Sequence, residues 1–564
     1  MMTTDKKPVA LLAEILNQHG LDYLVHSPGS RNAPIIIAFS LLKKTKIITV
    51  ADERSAAFFA LGIAIESKKC VAIDCTSGSA PLNYAPAIAE AYYQKIPLLV
   101  LTADRSPKHI DIGDGQTIHQ NNLYANYIKA SYTLPTEASN EESTTRVEEL
   151  ISEAYQLSMQ APKGPVHLNV PLDEPLYNIT EDPSTGRPLL NIPSELEPKP
   201  TLPEALVDQW KSSTKTMILV GQSTPQPETE KILSLLSKNK NTTVLTETTS
   251  NLHHPDFIDI IDSAIATIKP DETTKLAPDL LITFGGAIVS KMIKAFLRKN
   301  QPKNHWHFSA NGEQMDTFFC QTGSVSGEEQ HLFEKLSKIP IQDESSYKYL
   351  WLEKKVLAQK LRTCYLNNTP YSDFKVFETI LNNLPRPCNL HLGNSTPVRY
   401  SQLFGSLPQV TCYSNRGVSG IDGQISTAAG VSRISTQPNV LITGDLGFIY
   451  DSNGLMLLTH SPNLKIIVIN NQGGGIFRFI QGPDTVEGFE EYFEARHNLS
   501  MDLLTRAFNV TYLKAETKDQ VAEGLKTLFN LAGKATVLEI VTSGIENAQI
   551  LRSYFQKLKG NLVS

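Results

Sequence analysis

Two apolar runs late in the chain constrain its fold more than any other feature. Val440-Leu441-Ile442-Thr443 ends at Gly444-Asp445-Leu446, and Lys465-Ile466-Ile467-Val468-Ile469 ends at Asn470-Asn471-Gln472-Gly473. Short continuous apolar runs closed by turn residues fit strands buried on both faces, as in parallel sheets covered by helices. Loops past the carboxyl ends of such strands line a crevice where ligands bind. Gly444 lets the backbone turn tightly and approach a phosphate. Asp445 offers a carboxylate oxygen, Asn471 an amide oxygen and Gly473 a carbonyl. Magnesium takes about six oxygens and commonly combines one or two protein ligands with phosphates and water. The three oxygens meet that demand, so the segment reads as a metal-diphosphate anchor. Two ordinary turns would also contain Gly-Asp and Asn-Asn, since these residues are common in turns.

The 564 residues suffice for three domains, and 41% hydrophobic with 20% charged residues is a globular composition with large cores. A net charge of -6 supplies no basic footprint for nucleic acid and argues against anionic membranes. Six cysteines form no CxxC pair and have no histidine cluster at zinc-ligand spacing, as expected of reduced thiols in the cytoplasm. The opening MMTTDKKPVALLAEILNQHG has its apolar stretch broken by Glu14, which argues against a signal peptide. No apolar run reaches the roughly 18 residues of a membrane span.

Helical and strand patterns alternate along the whole chain. Val9, Leu12, Ile15 and Leu16 mark a helix, Tyr23-Leu24-Val25 a strand, residues 56–65 a helix, and Val71-Ala72-Ile73 and residues 97–102 strands. Residues 181–203 hold six prolines and read as an interdomain linker. The rhythm resumes with Met217-Ile218-Leu219-Val220, a helix over 227–238, Val244-Leu245 and Leu280-Leu281-Ile282-Thr283-Phe284-Gly285-Gly286. That last turn resembles a dinucleotide-binding loop but lacks a full G-x-G-x-x-G. A charged helix over 346–359 leads into the third block. The expected fold is α/β, with three doubly wound parallel-sheet domains: residues 1–182, a linker at 183–203, then 204–355 and 356–564.

Several passages carry a family resemblance: His26-Ser27-Pro28-Gly29-Ser30-Arg31-Asn32, Asp52-Glu53-Arg54-Ser55, Thr76-Ser77-Gly78-Ser79, Leu101-Thr102-Ala103-Asp104-Arg105, Gly393-Asn394-Ser395, Ser414-Asn415-Arg416-Gly417, Gly420-Ile421-Asp422-Gly423 and Asn471-Gln472-Gly473-Gly474. In this order they resemble the thiamine-diphosphate enzymes, built from pyrimidine-binding, central and diphosphate-binding domains. Leu446 stands where most of that superfamily has a second glycine after Asp. This departure resembles one branch, the 2-succinyl-5-enolpyruvyl-6-hydroxy-3-cyclohexene-1-carboxylate synthases of menaquinone biosynthesis, and the resemblance covers essentially the whole chain.

The resemblance implies thiamine diphosphate and Mg2+ as cofactors, with Mn2+ an alternative because it accepts the same oxygen ligands. Asp445, Asn471 and Gly473 would bind the metal, and Ser30, Gly78, Ser395, Ile421, Gly444, Asp445, Leu446 and Asn471 the cofactor. Glu53 would be catalytic, bonding the aminopyrimidine ring, and Ile421 would hold the cofactor bent. On residue type alone Glu53 also suits the first turn of a helix, and Ile421 an ordinary core. The implied substrates, 2-oxoglutarate and isochorismate, are anionic and call for cations. The matching positions are Arg31, Arg105, Arg399 and Arg416, with Lys291 from the central domain, though without the motifs a lone arginine is usually a solvated or structural ion pair, and Lys291 is as readily one. Gln116 would orient substrate, and Ile476 and Phe477 would wall the reacting carbon, on a glycine-rich segment that orders over it like a lid. The resemblance further implies a homodimer whose site joins Glu53 of one subunit to the diphosphate anchor of another, or a homotetramer pairing two such dimers. Rival readings are a carboligase or decarboxylase acting on pyruvate, which needs fewer cations, and a non-catalytic dinucleotide-binding scaffold.

Overall fold

The computed structural model describes residues 2–181, 201–341, 345–479 and 486–560. Most of the expected linker therefore lies outside the described residues. The chain forms two compact units, Met1–Leu196 with Gly417–Thr436 and Tyr450–Leu464, and Glu197–Arg416 with Gln437–Ile449 and Lys465–Ser564.

The first unit is built on a six-stranded sheet in the order Lys46–Thr49, Tyr23–His26, Val71–Cys75, Leu98–Arg105, Val166–Leu172, Ser131–Thr133. Its pairings are parallel. Chain order reverses between the Tyr23 and Val71 strands, so the loops after them flank a switch-point crevice. The expected helix over 56–65 extends to Glu53–Ser67, because Asp52 caps it by accepting Ser55 N at 2.9 Å. Against it lies the helix Gln424–Ile434. A Cβ on Gly62 would fall 2.1 Å from Thr427 O, and one on Gly430 2.1 Å from Phe59 O, so two glycines set how closely these helices cross.

The second unit contains two parallel sheets. Five strands run in the order Thr242–Thr246, Thr216–Val220, Leu280–Phe284, Asn304–Ser309, Gly323–Ser326. Alternate residues of this sheet enter different cores: Ile218, Val220 and Ile282 one, Met217, Leu219 and Leu281 the other. That two-residue period is what a sheet covered on both faces requires. Each such side chain stabilises the fold by roughly 1.5–3 kcal/mol on burial. Gly285-Gly286 has a packing role that replaces the dinucleotide reading. Gly286 N donates to Gln222 O at 2.7 Å, and a Cβ on Gly221 would meet Gly286 O at 2.0 Å. The glycines let two switch-point loops touch.

The third sheet runs Val410–Tyr413, Cys388–Leu392, Asn439–Gly444, Leu464–Asn470, Thr536–Val541, Thr511–Ala515. Numbered within their own sheets, its strands follow the same order as those of the first sheet, a correspondence no repeat in the sequence reveals. The charged helix expected over 346–359 runs longer, Tyr347–Asn367. Among the described residues no helix is long and apolar enough to cross a membrane.

Candidate active site

In the third sheet the chain order reverses between Cys388–Leu392 and Asn439–Gly444; Ser395 lies on the turn after the first of these strands, and Asp445 opens the helix Asp445–Tyr450 directly after the second. Asp445 Oδ1 accepts Leu446 N at 2.7 Å and Oδ2 accepts Gly473 N at 2.8 Å, which draws the loop after Leu464–Asn470 onto Asp445. Gly473 has φ +147°, and a Cβ there would lie 2.6 Å from Glu494 O, so only glycine makes this turn. Asn471 is buried beside it and donates Nδ2 to Asp373 Oδ2 at 3.2 Å. Burial pushes the Asp373 carboxyl up to about 6, with the Asp445 charge adding to the rise.

These residues fit a divalent cation holding a diphosphate. The donors are oxygens, the type magnesium selects. Apart from its two chain neighbours, no atom of the described residues lies within 4 Å of where a Gly444 Cβ would stand, so the space in front of Gly444 is open. His497 lies beside Asp445. Its Nδ1 accepts Leu499 N at 3.3 Å. Its Nε2 is buried without a hydrogen bond of good geometry and faces Asp445 Oδ2 at 3.4 Å, an ion-pair distance. His497 carries no motif and escaped the sequence reading. The one other ligand-like cluster among the described residues, His305, Asp316 and Cys320, is of a softer type. Its Asp316 Oδ1 already accepts Cys320 N and Gln321 N, at 2.9 and 3.1 Å.

Of the residues expected to bind anionic substrate in this unit, Arg399 and Arg416 lie close enough to repel one another. Ser395 adopts φ +74°, a strained value for a residue with a side chain, and its carbonyl accepts Arg399 Nη1 at 2.5 Å. Arg416 is buried and donates Nη1 to Asn394 Oδ1 at 2.8 Å. Behind them lies Glu247, buried in the central domain, whose carboxylate accepts Val289 N and Ser290 N at 2.8 and 2.7 Å. Ser290 caps the helix Lys291–Lys299, and its hydroxyl also meets Asp262. Burial pushes Glu247 up to about 7, opposed by those two backbone N–H groups and by the Arg416 charge. It likewise raises Asp262, opposed by the Ser290 hydroxyl and Arg399. Lys294 joins the group. Burial lowers its pKa, Glu247 opposes that shift, and Arg416, Arg298 and Arg399 reinforce it. Lys291, the lysine the resemblance implies, is exposed at the first turn of the same helix. Ile476 and Phe477 sit half-buried on the turn Gly475–Arg478. Arg478 grips Glu494 with two bonds of 2.5 Å, which ties that turn down.

The first unit holds the remaining candidates. Glu53 is half-buried; burial raises its carboxyl, its own backbone N–H opposes the rise, and Asp52 adds to it. Gly78 has φ +87°, and a Cβ there would meet Gln116 Cα at 3.1 Å, so Gly78 and Gln116 pack together. The loop is fixed by a buried chain: Gly78 N donates to Gln120 Oε1 at 3.2 Å, Gln120 Nε2 to Asn169 Oδ1 at 3.0 Å, and Asn169 Nδ2 to Asp104 Oδ2 at 2.8 Å. Next to Asp104, Arg105 has its Nε buried with no partner. Arg31 is more committed, donating to Leu172 O at 3.1 Å and pairing with Glu174 at 3.1 Å. Ser30 is exposed on the loop before it. Ile421 is half-buried on a loop that starts where Gly417 N and Val418 N donate to the Glu90 carboxylate at 2.6 and 2.7 Å. Glu90 was also missed, since nothing in the sequence links it to residues more than 300 positions away.

Comparison with known proteins agrees with this geometry. Residues 7–125 match the model of the thiamine pyrophosphate enzyme N-terminal TPP binding domain, 186–392 the middle domain, and 393–540 the C-terminal TPP binding domain. Benzoylformate decarboxylase from Polynucleobacter necessarius shares the fold, with TM-score 0.72 over 96% of this chain and 99% of that one at 15% identity. The fold and domain set are those of a thiamine-diphosphate-dependent enzyme. Similarity then narrows the class. The chain is 43% identical to the 2-succinyl-5-enolpyruvyl-6-hydroxy-3-cyclohexene-1-carboxylate synthase of Flavobacterium psychrophilum over 99% of its length and 100% of the relative's. It is 42% identical to that of Flavobacterium johnsoniae (97% and 98%), and 36% to that of Porphyromonas gingivalis (99% and 98%). The chain belongs to this synthase family.

Proposed function

We propose that the protein decarboxylates 2-oxoglutarate and joins the remaining succinyl unit to isochorismate, a step of menaquinone biosynthesis that forms the product its relatives are named for making. The observation that carries this substrate choice is the gathering of Arg399, Arg416 and Lys294 near Glu247, where burial, reinforced by repulsion among the cations, lowers the pKa of both Arg399 and Lys294. Such a cluster is relieved by a bound polyanion, and pyruvate, with one carboxylate, relieves it less.

Asp445, Asn471 and the Gly473 carbonyl would hold Mg2+, or Mn2+, for the diphosphate, with Gly444 and Leu446 beside them. Ser30, Gly78, Ser395 and Ile421 contact the rest of the cofactor. When bound, thiamine diphosphate supplies an electron sink that makes loss of carbon dioxide from a 2-oxo acid feasible. Glu53 would exchange a proton with the aminopyrimidine ring of the bound cofactor, and its raised pKa would bring that exchange nearer working pH. Arg31, Arg105, Lys291, Arg399 and Arg416 bind substrate carboxylates, with Gln116 orienting them. Ile476 and Phe477 keep water from the reacting carbon. Glu53 of one subunit serves the diphosphate anchor of a second, which makes a homodimer the smallest active form. Residues 1–182, 204–355 and 356–564 are the pyrimidine-binding, central and diphosphate-binding domains. A cytoplasmic setting accords with six free cysteines.

Purified protein supplied with thiamine diphosphate, Mg2+, 2-oxoglutarate and isochorismate is expected to release carbon dioxide and form the succinyl-cyclohexene product, identified by mass spectrometry. Carbon dioxide from pyruvate at an equal or greater rate, with no coupled product from 2-oxoglutarate, would overturn the assignment.

A further inference from the structure

An asparagine amide serves a cation only when turned the right way. Asn471 Oδ1 is a ligand; the same group rotated by half a turn presents two N–H hydrogens to a positive charge. What fixes the rotation is on the other side of Asn471. Asp373 opens the helix Asp373–Asn382 and is fully buried. One of its oxygens accepts Asn471 Nδ2 at 3.2 Å, and the other accepts Thr542 Oγ1 at 2.6 Å. The carboxylate is itself held: Asp373 N donates to Asn547 Oδ1 at 2.8 Å, and Asn547 Nδ2 donates to Thr542 Oγ1 at 3.0 Å. This last bond occupies the hydroxyl as an acceptor and leaves its hydrogen for Asp373. The carboxylate facing Asn471 has only acceptors, so the amide must present Nδ2 to it and Oδ1 away from it. Backbone packing allows little escape. A Cβ on Gly475 would stand 3.0 Å from Asn471 Nδ2, and one on Gly544 3.1 Å from Asn471 O.

We propose that Asp373 is a positioning residue for the divalent cation, dictating which end of the Asn471 amide faces it. The inference rests on the metal assignment made above for Asp445 and Asn471. Partners that orient a ligand from behind typically change metal affinity 10- to 100-fold, roughly, when lost.

The test is calorimetric titration of thiamine diphosphate into metal-free protein across a series of Mg2+ concentrations, alongside the Tm of the unliganded protein. For Asp373→Asn, the Mg2+ concentration supporting half-maximal cofactor binding is expected to rise about 10- to 100-fold. Thr542→Val, which strips the other oxygen of Asp373 and leaves Asn471 alone, lowers Tm and moves that midpoint by less than about threefold. The decisive variant exchanges the pair. In Asp373→Asn with Asn471→Asp, the new amide donates to the new carboxylate, whose second oxygen again faces the metal, and the midpoint returns towards wild type. A midpoint within about twofold of wild type in Asp373→Asn, or an exchanged pair no better than Asp373→Asn, overturns the proposal. Should Asp373→Asn fail to fold, the exchanged pair is compared with Asn471→Asp, whose two carboxylates repel. Tighter Mg2+-supported binding in the pair upholds the inference, and equal binding sinks it. If wild-type protein binds cofactor equally with and without Mg2+, the metal assignment itself fails, a result distinct from either.

Discussion

Glu53 stands at the first turn of a helix, where exposed N–H groups favour a negative charge, yet burial moves its carboxyl in the opposite direction. The balance suits a group that must pass a proton back and forth. Glu53→Gln keeps the shape and removes the proton exchange, so kcat is expected to fall by roughly 10²- to 10⁴-fold while cofactor affinity, read by calorimetry, stays within a few-fold. Undiminished turnover would remove Glu53 from the chemistry. Glu247 offers a different residue-level test, read through stability. Its folded pKa, pushed up to about 7, lies above that of an unfolded glutamate. Across that window the folded protein keeps a proton the unfolded chain has lost, so stability falls as pH rises and levels off once both states are ionised. Asp262, Arg416 and Lys294 face the same carboxylate and set where the window ends. Glu247→Gln deletes this contribution. The fall in Tm between about pH 5 and about pH 8 should then be smaller than in wild type, and an unchanged fall would mean that Glu247 is not buried as a proton acceptor.

At the scale of elements, the glycine contact between the helices Glu53–Ser67 and Gln424–Ile434 sets the relation of Glu53 to the loop that carries Ile421. The same loop ends on Gly423, whose Cβ would enter the Phe58 ring at 2.1 Å. Gly62→Ala places a methyl group against the Thr427 carbonyl and forces the helices apart, with an expected loss of about 1–3 kcal/mol, measured by urea unfolding. A Gly62→Ala protein as stable as wild type would show that the helices do not meet there. This contact also marks how far the sequence could be read. Strands and helices were legible because their apolar periods are local; Asp445 and Asn471 stood out as candidates because they follow apolar strands, while Glu53 became one only through the family resemblance, its residue type alone fitting an ordinary first-turn acid. Helix limits moved where capping decided them, as at Asp52. The residues behind the site stayed hidden for a physical reason. Glu90, Asp373, Glu247 and His497 act through bonds to segments distant in sequence, and as isolated letters each resembles a surface charge. Lys294 lay three residues from Lys291, the lysine the resemblance implied, and only its surroundings reveal that it shares the field of Arg399 and Arg416.

For the whole molecule, the division of labour between the two units bears on assembly. Glu53 belongs to the first unit, and Asp445 with Asn471 to the second. If each cofactor is gripped by the diphosphate anchor of one subunit and by Glu53 of another, two different inactive variants can repair one another. In a dimer formed from one Glu53→Gln chain and one Asp445→Ala chain, one site carries both defects and the other carries neither. Random exchange of subunits makes about half the dimers mixed, each with one intact site of two, so activity should recover to about a quarter of wild type. The experiment requires mixing the two proteins under conditions that let dimers dissociate, then assaying after reassociation. Each variant treated alone should remain inactive. Were Glu53 and Asp445 of the same chain to serve one cofactor, every site in the mixture would still hold one defect, and no activity would return. The fraction recovered thus reports whether the site is shared between subunits, and a tetramer made of two such dimers would give the same quarter.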